Sequence, residues 1–181
     1  MSRGGKIEKQ TGADLAFLIV VDLPDYPLVV RSIVLQAKKC DSSASVDMRQ
    51  LRTIQKSAGS ASAYLFYDMG SRTLSAPIVM TADQLKSKAD ESETKGHKSF
   101  TLRLDDILDQ GIPLSLYILH DLIERGAGTS YDSFESAFSE FRRMADQRED
   151  PDGFNGRLAI ATVGRRISLS TNNDGGQEIT V

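Results

Sequence analysis

Two apolar runs joined by a short proline-containing segment limit most strongly what this chain can fold into. The first run is DLAFLIVVDL and the second is LVVRSIVLQAK, with Pro24, Asp25, Tyr26 and Pro27 between them. Both runs are rich in aliphatic and β-branched residues, and prolines beside an aspartate are typical of a turn. The pattern predicts an antiparallel hairpin, and its first strand, apolar on both faces, is expected to be covered from both sides.

Such a hairpin brings together residues that lie far apart in the sequence. The start of one strand of an antiparallel pair lies opposite the end of the other. Asp14 precedes the first run, whereas Gln36 and Lys38 lie at the end of the second. We therefore expect Asp14, Gln36 and Lys38 to meet at one end of the sheet. A carboxylate, an amide and an ammonium placed together suit a divalent cation and a phosphate.

Each of these residues also has an ordinary explanation. Asp14 follows Thr-Gly-Ala and could be a turn carboxylate, while Lys38 and Lys39 could be a strand end in solvent. Gln36 is harder to explain in this way because it lies among valine, isoleucine and leucine. A buried amide is costly unless it is hydrogen-bonded, so we expect a specific partner beside Gln36.

The segment after the hairpin predicts a loop, a helix and a third strand. The loop covers residues 40–45, and Ser45 or Asp47 can cap the helix VDMRQLRTIQKSAG. Leu51 and Ile54 share one face of that helix, which should lie on the sheet. SAYLFYDMG is the third strand, and the order strand, helix, strand predicts a parallel pairing with the second strand.

Further helices and strands follow along the chain. PLSLYILHDLIER and SYDSFESAFSEFRRMADQ are helical patterns, and FTLRL and LAIATV are strand patterns. The fold class predicted is α/β, with a mixed central sheet flanked by helices. Residues 1–170 are expected to form a single domain and residues 171–181 a flexible C-terminal tail.

The charge of the chain is unevenly distributed. A net charge of −3 argues against a nucleic-acid coat protein, which is usually basic. Residues 31–56 nevertheless hold six basic residues against two acidic ones. Four of them are candidate contacts to a phosphate backbone: Lys39, Arg49, Arg52 and Lys56. The same residues could equally form an ordinary solvated surface.

Three absences in the sequence bear on location. No apolar run approaches the roughly 20 residues that cross a bilayer, and MSRGGKIEKQ lacks the apolar stretch of a secretion signal. Cys40 is the only cysteine, so no intrachain disulfide can form. We expect no membrane partner and a cytoplasmic location.

Lysines before Cys40 could activate its thiol, or it could be a small residue at a loop edge. His97 and His120 are isolated from any cysteine and from a second histidine, so the sequence does not predict a zinc site.

The order of these elements, with Asp14 and Gln36-Ala37-Lys38, resembles the PD-(D/E)xK nuclease superfamily, which has the restriction-endonuclease-like fold. That signature is an Asp at the start of one strand and Glu/Gln-x-Lys at the end of its antiparallel neighbour, followed by a helix and a strand. TGAD and LQAKK supply its two parts, and the resemblance covers roughly residues 8–70. The chain is most similar to branches with Gln in the third motif, and to a bacterial domain family of unknown function that reads E-x-x-T-G-A-D and then Q-A-K.

The resemblance implies a restriction-endonuclease-like core and a metal-dependent nuclease that hydrolyses phosphodiester bonds, with DNA as substrate and Mg²⁺ or Mn²⁺ as cofactor. The catalytic residues it implies are Asp14, Gln36, Lys38 and Glu8. The metal ligands it implies are Asp14, Gln36, the carbonyl of Ala37 and Glu8. Gln50, on the helix, is an accessory residue in this interpretation or else a solvated one. The implied context is bacterial defence, mobile-element biology or DNA repair.

The chain departs from the family at its N-terminal side. The family places a further Glu on a helix before the first strand, but only seven residues precede Glu8. Either Glu8 takes that role, or the helix is lost or comes from elsewhere. A second hypothesis is therefore an inactive nuclease-like domain that binds nucleic acid or a protein partner. A third is a structural subunit with the apolar hairpin as an oligomer interface. Many enzymes of this fold form homodimers, although no dimer signature stands in the sequence.

Overall fold

The predicted hairpin lies inside the main sheet of the computed structural model, which describes residues 13–68, 76–91, 98–146, 157–164, 168–169 and 179–180. β1 (Leu15–Asp22) pairs antiparallel with β2 (Val29–Lys39). Leu15 lies opposite Leu35, and this register carries the pairing through to the turn. Residues 18–21 are buried, as expected for a strand that is covered on both faces. The hairpin prediction is confirmed.

The segment after β2 differs from the prediction. Residues 43–45 of the expected loop and the first two residues of the expected helix form β3 (Ser43–Asp47), which pairs antiparallel with β6 (Ser99–Arg103). Ala44 and Val46 are buried, whereas the residues between and beside them are exposed. This alternation marks a strand with one buried face. Serine and alanine have little strand propensity, so the pattern does not stand out in the sequence.

The helix that follows, α1 (Met48–Ala58), begins where an aspartate caps it. Asp47 Oδ1 accepts a hydrogen bond from the backbone N–H of Gln50 at 2.9 Å. Of the two N-cap candidates, Asp47 is therefore correct and Ser45 is wrong, because Ser45 belongs to β3. Leu51 and Ile54 are buried against the sheet, as predicted.

β2 has different neighbours along its two halves. Its second half pairs in parallel with β4 (Ser62–Tyr67), which confirms the predicted parallel pairing. Its first half pairs antiparallel with β8 (Thr129–Tyr131). β1 therefore borders one edge of β2, while β8 and then β4 border the other. This leaves the end of β2 next to both the start of β1 and the body of β4.

The other elements extend the sheet and cover it. Their bounds are a 3₁₀ turn (Gly59–Ala61), β5 (Ile78–Thr81), α2 (Ala82–Glu91), α3 (Leu104–Gln110), β7 (Ile112–Pro113), α4 (Leu114–Leu116), a π-helix (Tyr117–Glu124), α5 (Phe134–Asp146) and β9 (Arg157–Gly164). The strand order is β7-β5-β4-β2-β1-β9, with β9 parallel to β1 and β5 antiparallel to both of its neighbours. The sheet is therefore mixed. The segment PLSLYILHDLIER is helical as predicted, but most of it is a π-helix.

Helices cover both faces of this sheet. On one face α1 contributes Leu51 to a core with Tyr64, and α5 packs Phe134 against Leu18. On the other face the π-helix packs Leu122 against the hairpin. The predicted fold class, α/β with a mixed central sheet flanked by helices, is confirmed at this level.

Near the C-terminus, β10 (Ser168–Leu169) pairs antiparallel with β11 (Ile179–Thr180). Most of the segment expected to be a flexible tail lies outside the described residues, so the boundary at residue 170 stays a prediction. Across the described ranges, no helix combines the length and the apolar character that crossing a membrane requires.

Candidate functional site

Asp14 and Gln36 face each other at the end of the hairpin. The backbone N–H of Asp14 donates to the carbonyl of Leu35 at 2.9 Å, which continues the β1–β2 pairing by one residue. Gln36 Nε2 donates to Asp14 Oδ2, and the backbone N–H of Ala37 donates to the same oxygen at 3.1 Å. The structure thus brings Asp14 and Gln36 together although they lie 22 positions apart in the sequence, as the hairpin predicts.

Gln36 is buried, with only 2% of its surface exposed, and its amide is hydrogen-bonded on both sides. Besides Asp14, its Nε2 donates to the carbonyl oxygen of Ala37 at 3.3 Å. Its Oε1 accepts a hydrogen bond from Gln50 Nε2 at 2.6 Å. The burial of this amide is therefore compensated, and the expectation of a specific partner beside Gln36 is confirmed.

Lys38 joins the same group through Gln50. Lys38 lies two residues beyond Gln36 on the same side of β2 and is half-buried. Its Nζ donates to Gln50 Oε1 at 2.8 Å. Gln50, in the first turn of α1, thus contacts both Gln36 and Lys38. The sequence left open whether Gln50 is solvated, and its contacts now place it among the candidate site residues.

The other predicted basic residues lie at the surface. Lys39 is exposed and forms an ion pair with Asp41 at 3.1 Å. Arg49, Arg52 and Lys56 are exposed on α1, on the side away from Leu51 and Ile54. They are accessible to a large polyanion such as a nucleic acid.

Three oxygen donors of the site suit a hard cation. They are the Asp14 carboxylate, the Ala37 carbonyl and Gln36 Oε1, which faces Gln50 in this structure. The first two both accept hydrogen bonds from Gln36 Nε2, so the partial positive charge of one amide group meets both oxygens. A divalent cation could take over that role, and these donors are of the type Mg²⁺ prefers. Glu8 lies outside the described residues. Within the described ranges, no three His, Cys, Asp or Glu side chains form a group that could hold a metal ion.

Tyr64 is a neighbour of the site that the sequence did not identify. It lies directly beside Gln36 in the parallel β2–β4 register and is completely buried. In the described structure its hydroxyl has no hydrogen-bond partner. Burial raises the pKa of Tyr64 well above its usual range, and the carboxylates of Asp47 and Asp14 raise it further. Aligning VLQAK with SAYLF in parallel would have placed this tyrosine beside the glutamine.

Cys40 does not have the environment of a reactive thiol. Its side chain is completely buried at the end of β2. Burial raises the pKa of Cys40, and Asp41 and Asp68 raise it further. The hypothesis that neighbouring lysines activate this thiol is therefore wrong, because desolvation and carboxylates dominate its surroundings. His120 is exposed on the π-helix, with Nδ1 3.5 Å from Asp121 Oδ1, and His97 lies outside the described residues.

Comparison with known proteins identifies no relative of this chain. No protein-family model matches the chain, and neither curated proteins nor solved structures give a match.

Proposed function

We propose that this chain is a metal-dependent nuclease that hydrolyses phosphodiester bonds of DNA. The observation that carries the proposal is the group formed by Asp14, Gln36 and Ala37, to which Gln50 joins Lys38. It combines oxygen donors for a divalent cation with an ammonium close by. Phosphodiester hydrolysis needs both a Lewis acid and relief of the charge that develops on the phosphate.

The order of elements around this group supports a restriction-endonuclease-like core. The antiparallel pair β1–β2 leads through β3 into α1, and β4 then returns parallel to β2. The resemblance in sequence covers this part of the chain. The proposal extends to a cytoplasmic location, to a homodimer, and to a role in bacterial defence or mobile-element biology, all of which rest on that resemblance.

Each residue of the group has a role in the proposed reaction. Asp14, Gln36 and the carbonyl of Ala37 would hold Mg²⁺ or Mn²⁺, with Glu8 as a further carboxylate. When bound there, such an ion would supply Lewis acidity toward a phosphoryl oxygen and toward bound water. Lys38 would position the attacking water and meet the negative charge of the scissile phosphate. Gln50 would be an accessory residue that holds Lys38 and Gln36 in place before the ion binds.

The exposed basic residues supply the proposed contact with the DNA backbone. Arg49, Arg52 and Lys56 lie on the same helix as Gln50, and Lys39 follows Lys38 on β2. Lys and Arg side chains hold phosphates without reading the base sequence. They therefore support binding near the site while leaving sequence preference to other contacts.

A second candidate function is binding of nucleic acid or a protein partner without cleavage. It is favoured by the scarcity of carboxylates, since within the described ranges no three potential metal-binding side chains of the His, Cys, Asp and Glu types come together. It is also favoured by the hydrogen bond that the Gln36 amide donates to Asp14. This bond gives the Asp14 carboxylate a hydrogen-bond donor without an ion.

A cleavage assay distinguishes the two candidates. Supercoiled plasmid and single-stranded DNA are incubated with Mg²⁺ or Mn²⁺ and the wild type, Lys38→Ala, or the control Lys86→Ala. Lys86 is exposed on α2 and carries the same charge outside the group. We expect metal-dependent cutting that Lys38→Ala abolishes and Lys86→Ala retains. DNA binding without cutting by the wild type, across both substrates and both metals, would favour the second candidate.

A further inference from the structure

The four polar side chains of the site form a series of hydrogen bonds with one direction. Lys38 donates to Gln50, Gln50 donates to Gln36, and Gln36 donates to Asp14. We call this series the amide chain. Each glutamine accepts on the side of the ammonium and donates on the side of the carboxylate.

The two charged residues set that direction. A carboxylate only accepts hydrogen bonds and an ammonium only donates them, whereas a primary amide can do either when its terminal group turns over. Gln36 must therefore present its nitrogen to Asp14, and Gln50 must present its oxygen to Lys38. The middle hydrogen bond, 2.6 Å from Gln50 Nε2 to Gln36 Oε1, is then the one arrangement that satisfies both ends.

A cation beside Asp14 changes the requirement at one end of the amide chain. Gln36 can bind a cation only through Oε1, so its amide must turn over and present Nε2 to Gln50. Two nitrogens would then face each other unless Gln50 also turns over. In that case Gln50 Nε2 would face Lys38 Nζ, and Lys38 would lose its acceptor.

We propose that binding of a divalent cation at Asp14 and Gln36 reverses the amide chain and releases Lys38 from Gln50. The inference rests on the proposed function because it assigns the metal to the same residues. It adds an order of events, in which the Lys38 ammonium becomes free to meet a phosphate only after the cation is bound. It also implies that the hydrogen bond between Lys38 and Gln50 lowers the affinity for the metal.

The effect of the Lys38–Gln50 hydrogen bond on the affinity for the cation can be measured. In wild-type protein, binding the cation breaks the Lys38–Gln50 hydrogen bond, whereas in Gln50→Leu there is no such bond to break. The hydrogen bond between Gln36 and Gln50 is present with and without metal in the wild type and absent from both forms of the variant. Its loss therefore largely cancels in the free energy of metal binding. Hydrogen bonds to charged groups are among the stronger ones, so Gln50→Leu should bind Mg²⁺ about tenfold more tightly than the wild type.

Calorimetric titration with Mg²⁺ and Mn²⁺ measures this affinity in the wild type, Gln50→Leu and the control Gln55→Leu. Gln55 lies on the same helix and donates to Asp83 at 2.9 Å, away from the amide chain. The control should bind as the wild type does. A Gln50→Leu protein that binds the metal equally well or more weakly overturns the inference, since a residue that merely supports the metal ligands would weaken binding when removed.

A measurement on the wild-type protein does not depend on the variants folding. The ¹⁵N-labelled ammonium of Lys38 is followed by NMR, assigned by its loss in Lys38→Arg. Without metal we expect slow exchange of its hydrogens with water, and we expect Mg²⁺ to accelerate that exchange. The side-chain amide signals of Gln36 and Gln50 should shift at the same Mg²⁺ concentration. An unchanged Lys38 signal at saturating Mg²⁺, or no binding of either metal, overturns the inference.

Failure of the inference and failure of the proposed function give different results. If Mg²⁺ releases Lys38 and DNA is still not cut, the inference stands and the nuclease proposal falls. If DNA is cut with Mg²⁺ while Lys38 stays bonded to Gln50, the nuclease proposal stands and the inference falls.

Discussion

Gln36 is a neutral side chain that directly contacts the carboxylate of Asp14, and this neutrality matters for stability. Gln36→Glu would place a second carboxylate against Asp14 in a buried position. Like charges raise the pKa of a carboxyl group, so the new group would hold its proton more tightly in the folded state than in the unfolded one. The loss of folding stability is absent below the pKa of the unfolded state, about 4, and is complete above the raised pKa of the folded state.

We therefore predict that Gln36→Glu lowers the free energy of unfolding by about 2 kcal/mol at pH 8 and by much less at pH 4. Urea denaturation across this pH range measures the loss, and under the proposed function Mg²⁺ should reverse it. Gln55→Glu is the matched control, since it places a carboxylate beside Asp83 at the surface, where solvent screens the repulsion. Equal losses in both variants at pH 8 would contradict the special position of Gln36.

Two buried tyrosines contribute to the change of stability at alkaline pH. The hydroxyls of Tyr64 and Tyr117 have no hydrogen-bond partner in the described structure. Burial raises the pKa of Tyr117 to about 12, and Asp121 adds to this effect. An unfolded tyrosine ionises near pH 10, so the unfolded state loses its proton first and stability falls as the pH rises from about 10 to about 12.

We predict that Tyr117→Phe reduces this alkaline loss by about 2–3 kcal/mol at pH 12, because it removes the group that resists ionisation. Chemical denaturation at pH 8, 10 and 12 measures the change. Tyr26→Phe, in the exposed turn of the hairpin, serves as the control and should leave the pH dependence as in the wild type. An identical pH dependence in Tyr117→Phe would mean that the hydroxyl is hydrated in solution.

At the scale of elements, the approach of β8 to β2 depends on a glycine. Gly128, just before β8, has a φ of 84°, and a Cβ there would lie 2.4 Å from the carbonyl oxygen of Ser32 on β2. Gly59, at the end of α1, has a φ of 54°, but nothing lies within 4 Å of its Cβ position. The two glycines share a backbone conformation that favours glycine and differ in the space around them.

We predict that Gly128→Ala destabilises the protein by about 2 kcal/mol or more, and Gly59→Ala by about 1 kcal/mol. The difference reflects the contact with the backbone of β2, which cannot move without disturbing the hairpin. Urea denaturation of the two variants side by side measures it. Equal destabilisation would show that β8 can shift away from β2 without further cost.

At the scale of the whole molecule, the feature that bears on DNA binding is where the charges lie rather than the net charge. The net charge is −3, yet three basic side chains line the exposed side of α1: Arg49, Arg52 and Lys56. Under the proposed function these residues neutralise DNA phosphates and release counterions. Affinity then falls with salt, by roughly 0.9 log unit per log unit of salt for each phosphate neutralised.

We predict that Arg49→Ala with Arg52→Ala weakens DNA binding and reduces the steepness of its salt dependence by about 2. Fluorescence anisotropy with labelled DNA, from low to physiological salt, measures both quantities. Arg125→Ala is the control, because Arg125 follows the π-helix on the opposite face of the sheet and pairs with Asp121. A salt dependence that only the control changes would place the DNA elsewhere.

The local order of residues is enough to specify the hairpin, α1 and the parallel return of β4. Apolar runs, a proline-containing turn and an aspartate N-cap act between neighbours in the sequence, so their effects can be predicted without knowing the rest of the fold. The meeting of Asp14 and Gln36 follows from the hairpin register alone. Their roles in binding a metal stay predictions.

The contacts of Gln50, Lys38 and Tyr64 were decided by the tertiary structure. The pairing of β3 with β6 joins segments more than fifty residues apart, and it sets where α1 begins above the sheet. A periodic pattern shows that one face of an element is buried, but it does not show which element covers that face. Because the amide chain needs Gln50 directly above the end of β2, it could form only once the sheet and its covering helix had packed together.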